Sequence, residues 1–249
     1  MGIFSGLFKK SSKLKEPADL SVLGTDVHSH FIPGIDDGAK TMEDSLNLIR
    51  FFHGKGYKKV ITTPHIMGDS YRNTPDIILG GLDKVRQALH ENNIPIEIEA
   101  AAEYYLDYDF EQKLKNEKLL TFGKDFVLVE LSFVNAPDNL FHIFFDMQMK
   151  GYRPVLAHPE RYSFWHSNFE KYEEIREKGV LLQMNINSLT GHYSIQTKRT
   201  AEKMIANNML SFLGSDCHHL GHTDLIQHAL YEKSLHDLLG SGKLLNKTL

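Results

Sequence analysis

Residues 22–30 read VLGTDVHSH, a short apolar run that ends on two histidines, His28 and His30. On extended backbone, residues two apart point to the same side, so both imidazoles can face one ion. The same shape returns along the chain. KKVITTPH (58–65) ends on His65, IPIEIEAAAEY (94–104) reaches Glu103, and DFVLVEL (125–131) reaches Glu130. RPVLAHPE (153–160) reaches His158, and MLSFLGSDCH (209–218) ends on Asp216 and His218. A seventh run, GVLLQMNIN (179–187), ends on Asn185 and Asn187, which suit hydrogen bonding more than metal binding. Side chains that converge from the ends of many strands meet where a barrel enzyme keeps its chemistry.

Helical patterns separate these runs. Residues 41–56 carry a capping Thr41, Asp44 three places on, and Leu46, Ile49 and Phe52 on one face, with Gly54 and Gly56 at the end. Further helices are expected near 75–91, 107–116, 137–150 (from Pro137), 168–178, 195–207 and 223–238. Strands alternating with helices argue for a parallel sheet with right-handed crossovers. The expected fold is therefore α/β, a closed or nearly closed (β/α) barrel with seven strands. Residues 21–249 are expected to form this one domain. Residues 1–20 read as an extension in which Ile3, Phe4, Leu7 and Phe8 precede Lys9, Lys10, Lys13 and Lys15. One short apolar turn is a poor membrane anchor, so no stable insertion is expected.

The chain has 249 residues, 41% of them hydrophobic, which suits one large domain with a real core. Its net charge is −4, from 28 basic and 32 acidic side chains, which argues against nonspecific nucleic-acid binding. The single cysteine, Cys217, excludes an intramolecular disulfide, and the N-terminus lacks a secretory pattern. The expected compartment is the cytoplasm.

An H-x-H pair alone is weak evidence for a metal site. Here His28-x-His30 and Asp216-x-His218 both sit at strand ends, and His65, His158, Glu103 and Glu130 join them. A carboxylate at the end of an apolar strand is costly to bury without a partner, and an ion removes that cost. Asp36 and Asp37 follow the first strand in PGIDDG, either as turn residues or with one of them as a ligand. Counting Asp37, nine candidates result: His28, His30, Asp37, His65, Glu103, Glu130, His158, Asp216 and His218. A single zinc takes about four ligands, so nine mixed nitrogen and oxygen donors imply two or three ions. With no thiolate, manganese, iron or zinc suits the set. Arg161, three residues past His158, has the planar fork that grips phosphate. A cysteine phosphatase would need arginine six residues past Cys217, where Thr223 stands. Phosphate-loop, dinucleotide and serine-nucleophile fingerprints are absent too.

DVHSH, TPH, the isolated Glu103, HPER and SDCH, in that order, resemble the motifs of the PHP (polymerase and histidinol phosphatase) superfamily. Over residues 24–245 the chain is more similar still to the bacterial PHP-type tyrosine-protein phosphatases linked to capsule and exopolysaccharide synthesis. That resemblance implies a distorted TIM-like barrel and a three-ion site. His28, His30, Glu103 and Asp216 would hold one ion. Glu103 would bridge to a second, held with Glu130 and His158, and Asp37, His65 and His218 would surround the third. Arg161 matches the family arginine that contacts phosphate. The family tends to carry another arginine where this chain has Thr223, and His222 is the expected substitute in substrate binding.

The expected activity is metal-dependent hydrolysis of phosphotyrosine, manganese first, on a bacterial tyrosine kinase that regulates capsular or exopolysaccharide synthesis. His65 or His218 would pass a proton through water, and no covalent phosphoenzyme is expected. One alternative is a small-molecule phosphomonoesterase such as a histidinol-phosphatase, which favours long covering loops over an open rim. Another is a non-catalytic module that binds a phosphorylated tail and turns nothing over.

Overall fold

Two of the seven expected strands are broken, and each break falls just before a candidate ligand. The computed structural model describes residues 14–249. Its strands are β1 (Thr25–Val27), β2 (Lys59–Thr62), β3 (His65–Ile66), β4 (Glu97–Ala100), β5 (Glu103–Tyr105), β6 (Phe126–Glu130), β7 (Arg153–Ala157), β8 (Leu181–Asn185) and β9 (Phe212–Gly214). They pair in parallel in the orders β1-β2-β4 and β3-β5-β6-β7-β8-β9. The run 58–65 splits into β2 and β3 at Thr63-Pro64, because proline has no N–H for the ladder. The run 94–104 splits beside it into β4 and β5. The backbone still bonds across the gap, from Ala101 N to Thr62 O and from Glu103 N to Pro64 O. Seven strand runs therefore persist, bent at the point where His65 and Glu103 face each other in register.

The barrel closes between β9 and β1 without a regular ladder. Ser29 bridges Cys217, Asp216 N donates to His28 O, and His30 N donates to Cys217 O. Lower in the seam, Asp26 accepts from the backbone N–H and hydroxyl of Ser215. A Cβ on Gly214 would strike the carbonyl of Val27, so only glycine lets the two chains approach this closely. The buried Asn246 amide donates to Thr25 O and Leu213 O and accepts from Leu213 N. Asn246→Ala leaves all three backbone groups unpaired. At about 1 kcal/mol or more each, it costs roughly 3 kcal/mol, and thermal melting falls by about 10 °C. An unchanged melting curve would remove Asn246 from the seam.

The helices are α1 (Met42–Gly54), α2 (Pro75–Glu91), α3 (Tyr108–Asn116), α4 (Leu140–Met149), α5 (Glu170–Glu177), α6 (Ile195–Ala206), α7 (Leu220–Ala229) and α8 (Lys233–Gly240). Thr41 and Asp44 form the expected capping box of α1. Pro137 lies in a turn before α4 rather than in its first turn, with Leu140 N donating to its carbonyl. The single helix expected at 223–238 is two helices. The break frees the carbonyls of Leu230 and Tyr231, which accept from Ala18 N and Leu14 N. Ala18 and Leu20 are buried there, so packing begins before the expected boundary at residue 21. Of the apolar-basic pattern expected from Ile3 to Lys15, residues 3–13 lie outside the described residues. Among the described residues, no helix is long and apolar enough to cross a membrane.

Two apolar layers follow from strand alternation. Val127 and Val129 face the helices, whereas Phe126 and Leu128 join Val27, Ile61, Ala101, Val155, Ala157 and Phe212 in a plug inside the barrel. The site sits on top of that plug.

Candidate metal centre

Alternation places some ligands and backbone geometry places the others. Leu128 faces the barrel interior, so Glu130, two residues on, faces it too. Ala101 does the same for Glu103. His28 and His158 are out of phase, because Val27 and Ala157 already take the interior. Both turn inward through left-handed backbone, with φ of 83° at His28 and 33° at His158. Asp216 is also left-handed, at 48°. Such conformations cost about 1–3 kcal/mol each in a non-glycine residue and cluster at functional sites. Gly38, whose Cβ would collide with His30, lets the PGIDDG loop fold tightly onto that histidine.

The nine candidates come together, and seven of them are buried. His28 Nε2 lies 3.0 Å from Glu103 Oε2 and 3.2 Å from Asp216 Oδ1, and His30 Nε2 lies 3.5 Å from each of the same oxygens. His158 Nε2 lies 3.1 Å from Glu103 Oε1 and 3.4 Å from Glu130 Oε1. His65 turns Nδ1 toward Glu103 and Glu130, at 3.3 and 3.9 Å, and Nε2 toward Asp37, at 3.5 Å. His218 Nε2 lies 3.4 Å from Asp37, and His30 adjoins that group. Two ligands about 2.1 Å from one ion, at tetrahedral or octahedral angles, stand roughly 3.0–3.4 Å apart. Most of these separations match that spacing.

The electrostatics also fit cations. His30 Nε2 and His65 Nδ1 are buried without a hydrogen-bond partner, and both face the carboxylates. Burial pushes the Glu130 carboxyl well above its usual range, and Glu103 and Asp216 beside it push it further. Burial also raises Glu103 and Asp216, but the histidines around them, His28 foremost, outweigh it and hold both well below the usual range. Burial and Arg161 bring His158 down to about 4, which keeps its ring neutral, as a ligand must be. Burial lowers His65 as well, whereas at His28 and His30 the effect of burial is outweighed by Glu103 and Asp216 and by Asp36, so those two rings are shifted upward. Imidazoles around three buried carboxylates make a donor set suited to divalent ions.

Several supporting residues were not legible in the sequence. Asp36, weighed there with Asp37 as a turn residue or a ligand, accepts from His30 Nδ1 at 2.7 Å and from the backbone of Gly38 and His65. It thereby fixes which nitrogen of His30 faces the centre. Asp36→Asn keeps the shape and removes the charge. It should weaken metal binding about tenfold or more, read by titrating metal into stripped protein, and unchanged affinity would contradict this role. Gln183 accepts from His28 Nδ1 at 2.7 Å in the same way. Asn185, expected from the sequence to hydrogen-bond rather than to bind metal, donates to Asp216 Oδ2 at 2.6 Å, so the strand without a candidate ligand orients one. Buried Glu160 accepts from Asn185 N and Ser188 Oγ, tying that strand end to the HPER turn.

Arg161 Nη1 donates to Asp216 Oδ2 at 2.9 Å. Its guanidinium lies 4.7 Å from the Phe133 ring centre and 4.2 Å from that of Tyr193. These residues line a cleft of about 420 Å³ with Asp37, His65, Glu103, Glu130, His158, Asp216 and His218. His222 lines it too, its Nδ1 against Asp216 O and His218 N. Thr223 does not. It is buried in α7, with its hydroxyl donating to Leu220 O. Cys217 is buried in the barrel wall between the candidate ligands Asp216 and His218.

Residues 24–226 match the family described as capsular polysaccharide synthesis, CpsB/CapC. This chain belongs to that family. Among curated CpsB/CapC relatives, the chain is 31% identical over 208 residues to the tyrosine-protein phosphatase YwqE of Bacillus subtilis, covering 83% of this chain and 82% of that protein. It is 28% identical over 201 residues to the tyrosine-protein phosphatase CpsB of Streptococcus agalactiae, covering 78% and 83%. Among solved structures, it superposes with a TM-score of 0.78, at 28% identity over 90% of this chain and 94% of the other, on a structure from work on YwqE and Streptococcus pneumoniae CpsB, described as unique metal-dependent tyrosine phosphatases. An amidohydrolase from Mycoplasma synoviae shares the fold alone, with a TM-score of 0.51 at 11% identity over 96% and 92%.

Proposed function

We propose that this protein is a metal-dependent tyrosine-protein phosphatase that holds two or three divalent ions, manganese first, and acts on a phosphorylated bacterial tyrosine kinase governing capsular or exopolysaccharide synthesis. The observation that carries this reading is the overlap of three ligand groups through His30, His65 and Glu103, with Arg161 bonded to Asp216 at their edge. Family membership and the similarity to YwqE and CpsB support it.

Divalent ions supply Lewis acidity at such a site, lowering the pKa of water and offsetting phosphoryl charge. The chain supplies the rest. Arg161 spends one amino group on Asp216, which aims the remaining N–H donors at a phosphoryl oxygen. His222 lines the same cleft and would take the substrate-binding role expected of it where Thr223 replaces the family arginine. His218 places Nδ1 at 3.0 Å from Asp216 O, which leaves Nε2 toward the cleft. With no ion on that nitrogen, it or His65 would hand a proton through water to the leaving oxygen. A phenolate needs little of this help, so phosphotyrosine suits the site better than an alkyl ester.

An open mouth favours a protein substrate over a metabolite. Phe133 and Val134 stand at or beside the lip, 44% and 81% exposed. Cytoplasmic placement goes with a kinase partner. The deciding experiment pairs elemental analysis of purified protein with turnover of phosphotyrosine peptide against histidinol phosphate. Faster turnover of the peptide, with two or more metal equivalents, is the expected result. Preference for histidinol phosphate would move the assignment to a small-molecule phosphatase, and metal without turnover would leave a binding module.

A further inference from the structure

The cleft has an apolar half that the metal ligands do not explain. Tyr71 stacks on His65, with ring centres 5.4 Å apart and planes 13° apart. Phe133 stacks on His158, at 5.7 Å and 20°. Those two histidines flank the Glu103 and Glu130 carboxylates. The aromatic rings therefore stand over neighbouring parts of one centre, and Met67 lines the cleft with them.

Both rings are held in place. Tyr71 closes a tight turn in which Met67 and Tyr71 exchange two backbone hydrogen bonds of 2.9 Å. Phe133 lies in a turn where Val134 N donates to Ser132 Oγ at 3.1 Å. Phe133 packs against Arg161 and His158 and still keeps nearly half its surface in solvent, so part of the side chain is open to a ligand. A partly exposed aromatic side chain beside an arginine suited to phosphate fits a ligand that joins a ring to a phosphate. The ester oxygen of an aryl phosphate sets the ring directly beside the phosphoryl group, so a ligand held by Arg161 brings its ring to Phe133.

Resting on the phosphatase reading, we propose that Phe133 and Tyr71 are specificity determinants, forming a slot for the phenyl ring of an aryl phosphate whose phosphoryl group Arg161 holds. Phenyl against Phe133 and Tyr71 gains stacking that an alkyl chain lacks, which is worth about fivefold to tenfold per ring pair. The slot accounts for discrimination by fit, separate from any advantage of phenolate as a leaving group.

The test is binding rather than turnover, so leaving-group chemistry drops out. Dissociation constants for phenylphosphonate and methylphosphonate are measured by calorimetry on the metal-loaded wild type, Phe133→Leu and Tyr71→Leu, each leucine keeping an apolar side chain. The wild type should prefer phenylphosphonate by about tenfold or more. Each variant should lose about fivefold of that preference, all of it through weaker phenylphosphonate binding. Equal weakening of both phosphonates would overturn the slot, because it would mean that the rings only hold Arg161 and the ligands in place. An unchanged preference would overturn it as well. A wild type that prefers phenylphosphonate but hydrolyses no phosphate ester would sink the phosphatase reading and leave the slot standing.

Discussion

Asp216→Ala lowers kcat/KM for an aryl phosphate by about a thousandfold or more, which corresponds to roughly 4 kcal/mol of lost transition-state stabilisation. The size follows from the two jobs of one carboxylate. Oδ1 lies within 3.5 Å of His28, His30 and His218, and Oδ2 accepts from Arg161 and Asn185. Its loss removes a ligand and releases the arginine aimed at phosphate. The backbone at Asp216 is left-handed, so alanine also inherits a conformation it adopts poorly. Asp216→Asn separates these effects, because an amide oxygen still accepts from Arg161 while the ligand charge is gone. Elemental analysis beside the kinetics, at saturating manganese, reads both. Undiminished turnover with a full metal complement would sink the site.

Stripping the ions with a chelator has the second large effect, on activity and stability together. Glu103, Glu130 and Asp216 are all buried within one cluster, and burial with mutual repulsion already opposes the charge on Glu130. Cations remove that repulsion and satisfy His30 Nε2 and His65 Nδ1. A ligand at a hundred times its Kd stabilises by about 2.7 kcal/mol per site. Two filled sites thus add about 5 kcal/mol, and stripping lowers the melting temperature by roughly 10–20 °C. Turnover falls to background and returns with added manganese. A stripped protein that melts where the loaded one does would mean that the groups hold no ions.

How much of this was legible follows the physics of each element. Alternating strands and helices show in sequence because their apolar periods are local. The strand break at Ala101 did not show, since a β-rich run hides a bend that only the neighbouring strand enforces, whereas the break at Pro64 has a local cause in the missing N–H. The split between α7 and α8 was equally hidden, because the N–H groups of Leu14 and Ala18 that satisfy the freed carbonyls lie more than two hundred residues away in sequence. Gln183 and Phe133 carry no pattern of their own, and nothing marks them until the residues they touch are in place, while Asp36 was marked only together with Asp37 and its contact with His30 decides its part.

The sequence by itself determined the kinds of donor and their place at the ends of parallel strands, because residue type and local period are properties of a segment. It also determined the arginine beside them. Tertiary structure alone decided which donors lie close enough to share an ion. His28 and His158 stand out of phase with the interior residues that precede them, and only left-handed backbone, held by the closed barrel, turns them inward. That strain is paid back where nine side chains from different strands meet, and no single stretch of chain contains the reason for it.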